Sequence, residues 1–437
     1  MKKFFGVVFC LACMALSFAS PSFADDAKSE MVLQTWYKLI LELVRHTATY
    51  SPPVASRSFA YLGVTAYESV ASGSPKLQTL AGQLQGLTAL PKRQAGQTYD
   101  DTVVLNAAMT FAAHHYFGNT GPTGQRAMVA LEKQLRAQAL AKIPTDVARR
   151  SEAYGQAMAK HIFDWSLTDG GAKITNLGFP DQYKLTPGPA HWVPTSPIRL
   201  QQTPLLPNWV SNRPFAMPKG TSCTLPPPPE YSEDKNSEFY KQALEVYTTV
   251  NNITPEQKAM ARFWSDDPML SPTPPGHWVS IIWQVAEHDK LSIDRTVEVL
   301  ARVGVAEADA FIGCWVVKYQ YDLVRPFTYI RRVIDPKWQT ILITPPFPEY
   351  PSGHSTNSGA AAFVMASMFG ENYAYEDATP EPDGLPPRKY ASFWAAATEA
   401  ANSRLYGGIH FRAAIERGLE QGKCIGAFAA ALHMGSK

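Results

Sequence analysis

Three short segments in the second half of this 437-residue chain carry side chains whose types and spacing suit one kind of chemistry. The first is Lys318-Tyr319-Gln320-Tyr321-Asp322-Leu323-Val324-Arg325-Pro326. Seven residues make two helical turns, so Lys318 and Arg325 point the same way. Pro326 disfavours helical geometry for Arg325, which puts the arginine just past a helix end. The second is Tyr350-Pro351-Ser352-Gly353-His354, followed by small and apolar residues. Ser352 can cap the helix that begins there, and Gly353 lets the backbone approach a ligand closely. The free N–H groups and helix dipole of such a start attract an anion. His354 adds a group able to give or take a proton near neutral pH. The third is Ser403-Arg404-Leu405-Tyr406-Gly407-Gly408-Ile409-His410. On an unbroken helix Arg404 and His410 would lie about 240° apart, whereas a break at Gly407-Gly408 can turn both side chains to one point. Each segment alone has an ordinary reading: a solvated Lys/Arg face, a Ser-capped helix start, a helix-stop turn.

Taken together they describe an anion site. Three cations (Lys318, Arg325, Arg404), the Ser352 hydroxyl and the Gly353 N–H suit an oxyanion of charge about −2, with the arginines presenting planar, forked donors. His410 is left to contact the central atom.

The elements that position these residues read as helices. Apolar positions at helical spacing run through 31–48 (Val32, Leu33, Trp36, Leu39, Ile40, Leu43), and Ser51-Pro52-Pro53 ends that helix and starts another reaching about Val70. Further helices are expected at 100–117, 123–142 and 145–168, the last stopped by Asp169-Gly170-Gly171. Residues 171–235 are rich in Pro, Gly, Thr and Asn. Trp192, Trp209 and Phe215 within them argue for an ordered loop packed on the body. Helices resume at 237–250, after the capping-box sequence Thr254-Pro255-Glu256-Gln257, at 277–289, over 293–323 as one long helix or two short ones around Gly304, at 353–369, at 389–404 and after about 409. Strand signals are weak. The expectation is an all-α helical bundle with long Pro-rich ordered loops. It divides into a leader (1–24), an N-terminal helical region (25–170), the Pro-rich loop region (171–235) and a C-terminal core (236–437), all but the leader forming one compact unit.

Bulk features narrow the function classes. Lys2 and Lys3, the apolar stretch Phe4 to Phe18 and Ser22-Phe23-Ala24 form the three parts of an export signal, with cleavage expected after Ala24. The protein is therefore expected in the periplasm or outside the cell, without a membrane anchor. A formal net charge of +2 gives no argument for nucleic acid as a partner. Of the cysteines beyond the leader, Cys314 lies in an apolar helical run, which leaves Cys223 and Cys424 as the expected disulfide. His114-His115 lacks carboxylate spacing for a metal and reads as packing. Oligomeric state is not legible.

The ordered set Lys-x6-Arg-Pro, Pro-Ser-Gly-His and Ser-Arg-x5-His resembles the signature of the superfamily that joins type-2 phosphatidic acid phosphatases, bacterial class A acid phosphatases and vanadium haloperoxidases. The long chain ahead of the first motif is similar to the haloperoxidases, as are Pro345-Pro346-Phe347-Pro348-Glu349-Tyr350, Gly276-His277-Trp278 and Gly407-Gly408-Ile409-His410-Phe411, the last two in their bacterial branch. The resemblance implies vanadate as cofactor, with phosphate able to occupy the same site, and hydrogen peroxide and a halide, iodide or bromide favoured, as substrates. It makes His410 the vanadium ligand, or the phosphorylated nucleophile in a phosphatase acting on phosphate esters. It makes His354 the acid–base residue, Lys318 a catalytic cation, and Trp315 and Phe347 the walls of a halide pocket. His277 is placed as a possible pocket-lining residue. A periplasmic acid phosphatase and a non-enzymatic phosphate-binding protein are the alternative readings. Two departures stand out. The aspartate common four residues after the last histidine is Ala414, with Glu416 nearby, and Ser355 replaces an alanine after the acid–base histidine.

Overall fold

The computed structural model describes residues 23–195 and 203–435; the leader up to residue 22 lies outside the described residues. Among the described residues the fold is all-α but for one small hairpin. The N-terminal helices are α1 (Phe23–Arg45), α2 (Pro52–Ala71), α3 (Asp101–Tyr116), α4 (Pro122–Ala139), α5 (Thr145–Ser166) and the short α6 (Gly171–Ile174). After the loop come α7 (Glu238–Asn251), α8 (Pro255–Phe263), α9 (Thr273–Asp289), α10 (Ile293–Tyr321), α11 (Pro326–Val333), α12 (Gly353–Phe369), α13 (Phe393–Tyr406) and α14 (Arg412–Ala430). Between α12 and α13, β1 (Tyr375–Asp377) pairs antiparallel with β2 (Arg388–Tyr390). Neither this hairpin nor α11 is signalled by periodicity; three residues per strand are too few to show an alternation. The Thr254–Gln257 capping box forms as the sequence predicts. Among the described residues no helix is long and apolar enough to cross a membrane.

Residues 293–321 form one unbroken helix. Gly304 does not break it, because its missing side chain faces α2: a Cβ there would stand 3.1 Å from backbone atoms of Phe59 and Ala60. Helices α12 and α14 meet as closely, and a Cβ on Gly422 would lie 2.3 Å from the Thr356 carbonyl. The main apolar core joins residues of α1 to α5 with residues of α9, α10, α12 and α13, so both halves share it. A second cluster of Val317, Val324, Tyr329, Tyr350, Leu405 and Phe411 underlies the three chemistry-bearing segments.

The Pro-rich crossing is held by specific bonds. The buried Asp309 carboxylate on α10 accepts from the backbone N–H groups of Phe215 (2.6 Å), Ala216 (2.9 Å) and Met217 (2.7 Å). Trp192, Trp209 and Phe215 are buried, as expected. A disulfide joins Cys223 to Cys424 on α14, with Cα atoms 5.9 Å apart, and Cys314 is a buried free thiol. His114 pairs with Glu132 at 3.0 Å and His115 stacks on Phe111, so neither contributes to a site.

Candidate active site

The long helix delivers Lys318 in its last turn. Asp322 closes α10 in the left-handed region (φ 47°), and Arg325 sits at the N-cap of α11 in extended conformation (φ −79°, ψ 153°), as Pro326 requires. Ser352 caps α12, its hydroxyl accepting from the Ser355 N–H at 3.3 Å. Its own N–H donates to the Ala414 carbonyl at 3.0 Å, which ties the α12 start to the α14 start. At the third segment α13 stops at Tyr406, Gly408 turns left-handed (φ 80°), and the Ile409 N–H reaches back to the Arg404 carbonyl at 3.1 Å. That turn brings His410 round beside Arg325.

All seven motif residues converge. Lys318 Nζ donates to the carbonyls of Pro348 (2.8 Å), Glu349 (3.1 Å) and Pro351. Arg325 donates from Nε to the Phe347 carbonyl (2.9 Å) and from Nη1 to the Ile409 carbonyl (2.9 Å) and His410 Nε2 (3.1 Å). Arg404 Nη1 donates to the Trp264 carbonyl, and its Nε is buried without a partner. All three cations are buried, and their bonds go to carbonyls and an imidazole, not to carboxylates. Uncompensated buried charge is costly. Burial first of all pushes Lys318 down to about 7, Arg325 to about 9 and Arg404 to about 10. A bound oxyanion would offset this cost.

His410 is presented in one tautomer. Its Nε2 accepts from Arg325, and its Nδ1 donates to Glu349 Oε1 at 2.9 Å. The same oxygen accepts from the Phe411 N–H at 2.8 Å. Burial, then Arg325, Lys318 and Arg404, hold the imidazole well below its usual range, so it is neutral with its Nε2 lone pair among the cations. Glu349 is fully buried; desolvation raises it to about 7 against the pull of Arg325. It therefore fills the role left open by Ala414, whereas Glu416 points outward beside Arg412. Sequence reasoning missed Glu349, although it is the one charged residue in the run Pro345 to Pro351.

His354 stands in the first turn of α12, its Nε2 buried, without a hydrogen-bond partner, and 3.7 Å from Asp266 Oδ2. Burial, Arg404 and His277 depress it well below its ordinary range. Asp266 was not signalled by the sequence, since it lies in the loop between α8 and α9. Phe347 packs on Trp315 with ring centroids 5.0 Å apart, and Lys318 Nζ lies 5.1 Å from the Phe347 centroid. Trp315 is fully buried and its indole N–H donates to the Leu205 carbonyl at 3.2 Å, so it shapes the pocket through Phe347. Ser355 is buried against Gly418 with its hydroxyl unbonded. His277 does not line the pocket. It has no exposed surface and is held between Asp266 and Asp377, because its helix turns it inward beneath Trp264.

An all-α bundle that closes three unpaired cations, a capped helix start and a neutral imidazole around one point belongs to the class of helical oxyanion-site enzymes. Comparison with known proteins narrows the class. Residues 298–435 match the family model described as the VCPO second helical-bundle domain. A bacterial vanadium-dependent iodoperoxidase structure is 38% identical, with a TM-score of 0.85 over 93% of this chain and 97% of that one. A bacterial vanadium-dependent chloroperoxidase in its holo form shares the fold at 18% identity, with a TM-score of 0.67 over 89% of this chain and 94% of that one. The vanadium chloroperoxidase of Curvularia inaequalis is 26% identical over 251 residues, 47% of this chain and 41% of the fungal protein's length. The chain belongs to the vanadium-dependent haloperoxidases, peroxidases whose cofactor is vanadate.

Proposed function

We propose that this protein oxidises iodide or bromide with hydrogen peroxide at a vanadate held by Lys318, Arg325, Ser352, Gly353 and Arg404 and ligated through His410 Nε2. The observation that carries the reading is the convergence of three buried cations, bonded to carbonyls, around the Nε2 lone pair of a neutral histidine, which Arg325 meets at 3.1 Å. Vanadate suits the residues present: Arg404 Nε and His354 Nε2 are buried donors or acceptors without a protein partner. Bound there, vanadate supplies Lewis-acid activation of peroxide without changing oxidation state. Lys318, Arg325 and Arg404 orient the anion and stabilise negative charge that develops on it. Glu349 keeps the His410 proton on Nδ1. His354, neutral at working pH, accepts a proton on its ring and returns it to the departing oxygen. Phe347, backed by Trp315, excludes water from the side a halide would approach. The similarity to an iodoperoxidase favours the more easily oxidised halides.

The test is a paired assay of iodide and bromide oxidation with saturating vanadate and peroxide, against phosphate-ester hydrolysis without vanadate. The expected result is vanadate-dependent halide oxidation with at most slow hydrolysis. His410→Ala should lose vanadate, while His354→Ala should keep it and lose turnover. Efficient hydrolysis without any vanadate-dependent oxidation would instead assign an acid phosphatase. Export is proposed on the leader sequence and the Cys223–Cys424 disulfide, which an oxidising compartment favours. Amino-terminal sequencing of the secreted protein should begin at Asp25.

A further inference from the structure

Behind the acid–base histidine lies a buried row of groups that the reaction just described does not use. His277, in the second turn of α9, has a carboxylate on each ring nitrogen. Nδ1 stands 2.9 Å from Asp266 Oδ1 and Nε2 stands 2.8 Å from Asp377 Oδ2. Ionised carboxylates only accept hydrogen bonds, so both nitrogens must donate, which makes the ring an imidazolium. The surroundings agree: Trp264 stacks flat on the ring, 4.3 Å between centroids, and although burial alone would lower it, the two aspartates together raise His277 to about 10. Asp377, at the end of β1, is kept ionised by His277 and by the Thr379 N–H at 2.9 Å. Asp266 is a non-glycine residue held at φ 48°, in the left-handed region where such residues are strained. That conformation aims one carboxylate at two histidines: it meets His277, and its Oδ2 lies 3.7 Å from the unpartnered Nε2 of His354.

We propose that His277, clamped by Asp377, is a positioning residue for the peroxidase reaction: it fixes Asp266 so that its carboxylate faces Nε2 of His354 and sets that ring's orientation and proton-bearing nitrogen. The imidazolium also neutralises most of the Asp266 charge. Asp266 then orients His354 without making it strongly basic, and the histidine stays a proton acceptor that can release what it accepts. This rests on the reading of His354 as the acid–base residue. The charged and titratable groups acting on His354 are Arg404 on α13, His277 on α9, Asp266 in the loop before α9 and His410 after α13.

The experiment is nitrogen-15 NMR of histidine-labelled full-length protein, which requires no turnover, followed by kinetics of the vanadate-loaded enzyme. His277 should show two protonated nitrogens from pH 6 to about 9, and His354 a single neutral tautomer. In His277→Gln, and more weakly in Asp377→Asn, the His354 titration midpoint should rise by about one pH unit, a tenfold change in its protonation equilibrium. In both variants kcat should fall while vanadate affinity and halide KM stay within about twofold of the parent, since neither residue touches the anion site. Should His277→Gln not fold, the wild-type spectrum and Asp377→Asn carry the test. A neutral His277 at pH 7 would overturn the proposal. So would a fall in activity at every pH with the His354 midpoint unmoved, which marks a purely structural role. Failure of the peroxidase reading would appear separately, as absent halide oxidation in the parent protein with the spectra unchanged.

Discussion

Glu349 and Lys318 are one chain neighbourhood seen from two sides: the Glu349 carbonyl accepts from Lys318 while its carboxylate accepts from His410. Removing that carboxylate frees the His410 ring to rotate or to change tautomer. A hydrogen bond to a charged group contributes about 1.5–3 kcal/mol, so Glu349→Ala should weaken vanadate at least tenfold by calorimetry, and Glu349→Gln, which retains an acceptor, less. The same pair sets a pH dependence. Below about pH 7 Lys318 is charged and Glu349 is protonated; as pH rises through about 7 the site loses a positive charge and gains a negative one. Both changes oppose an anion. Vanadate affinity should therefore fall more than tenfold between about pH 6 and pH 8.5, with proton uptake on binding at the upper end, and Lys318→Gln should flatten the curve. A pH-independent affinity in the parent would contradict these assignments.

Helix ends, more than helix faces, build this centre. Lys318 lies in the last turn of α10, Arg325 before α11, His354 in the first turn of α12, Arg404 in the last turn of α13 and His410 just before α14. Termini leave backbone groups free and point them at a common space. The break after α13 depends on Gly408 at φ 80°, where an added Cβ would press on Val250 and Trp338 at 3.1 and 3.2 Å. Gly408→Ala should cost about 1–2 kcal/mol of stability for the left-handed backbone and should also weaken vanadate binding, because His410 follows within two residues. Gly82→Ala provides the comparison. Its φ is 79° and its Cβ would meet nothing within 4 Å, so denaturation should report a similar strain with vanadate affinity unchanged.

The whole molecule closes around the Pro-rich crossing, which is bonded to α10 through Asp309 and linked to α14 through Cys223 and Cys424. The disulfide joins residues 201 apart in sequence. Closing so long a loop in the unfolded chain contributes about 2–5 kcal/mol. Cys223→Ala should lower the thermal midpoint by several degrees. Activity at 25 °C should fall little, since Gln421 still bonds the Cys223 carbonyl at 3.0 Å and the anion site lies elsewhere. Loss of vanadate binding in that variant would show that the crossing, held by Leu205 against Trp315 and Tyr319, depends on the bridge for its position.

By itself the sequence determined most of the helices and pointed to the candidate anion donors. Helical periodicity, Pro at helix starts and Gly-Gly at a helix stop are local rules, and they give Lys318, Arg325, Ser352, Arg404 and His410 a direction, while it is their order along the chain, resembling the superfamily signature, that singles them out as a set. The pairing of Cys223 with Cys424 was expected because Cys314 lies in an apolar helical run, and the structure bears it out. Only the tertiary structure decided which carboxylate serves which histidine. Glu349 reaches His410 across 61 residues, and Asp377 reaches His277 across 100, on separate elements whose packing no local pattern encodes. The same holds for His277 itself. A histidine beside a tryptophan at a helix start can face a pocket or the core, and it was the fold that set Trp264 over its ring and an aspartate at each nitrogen.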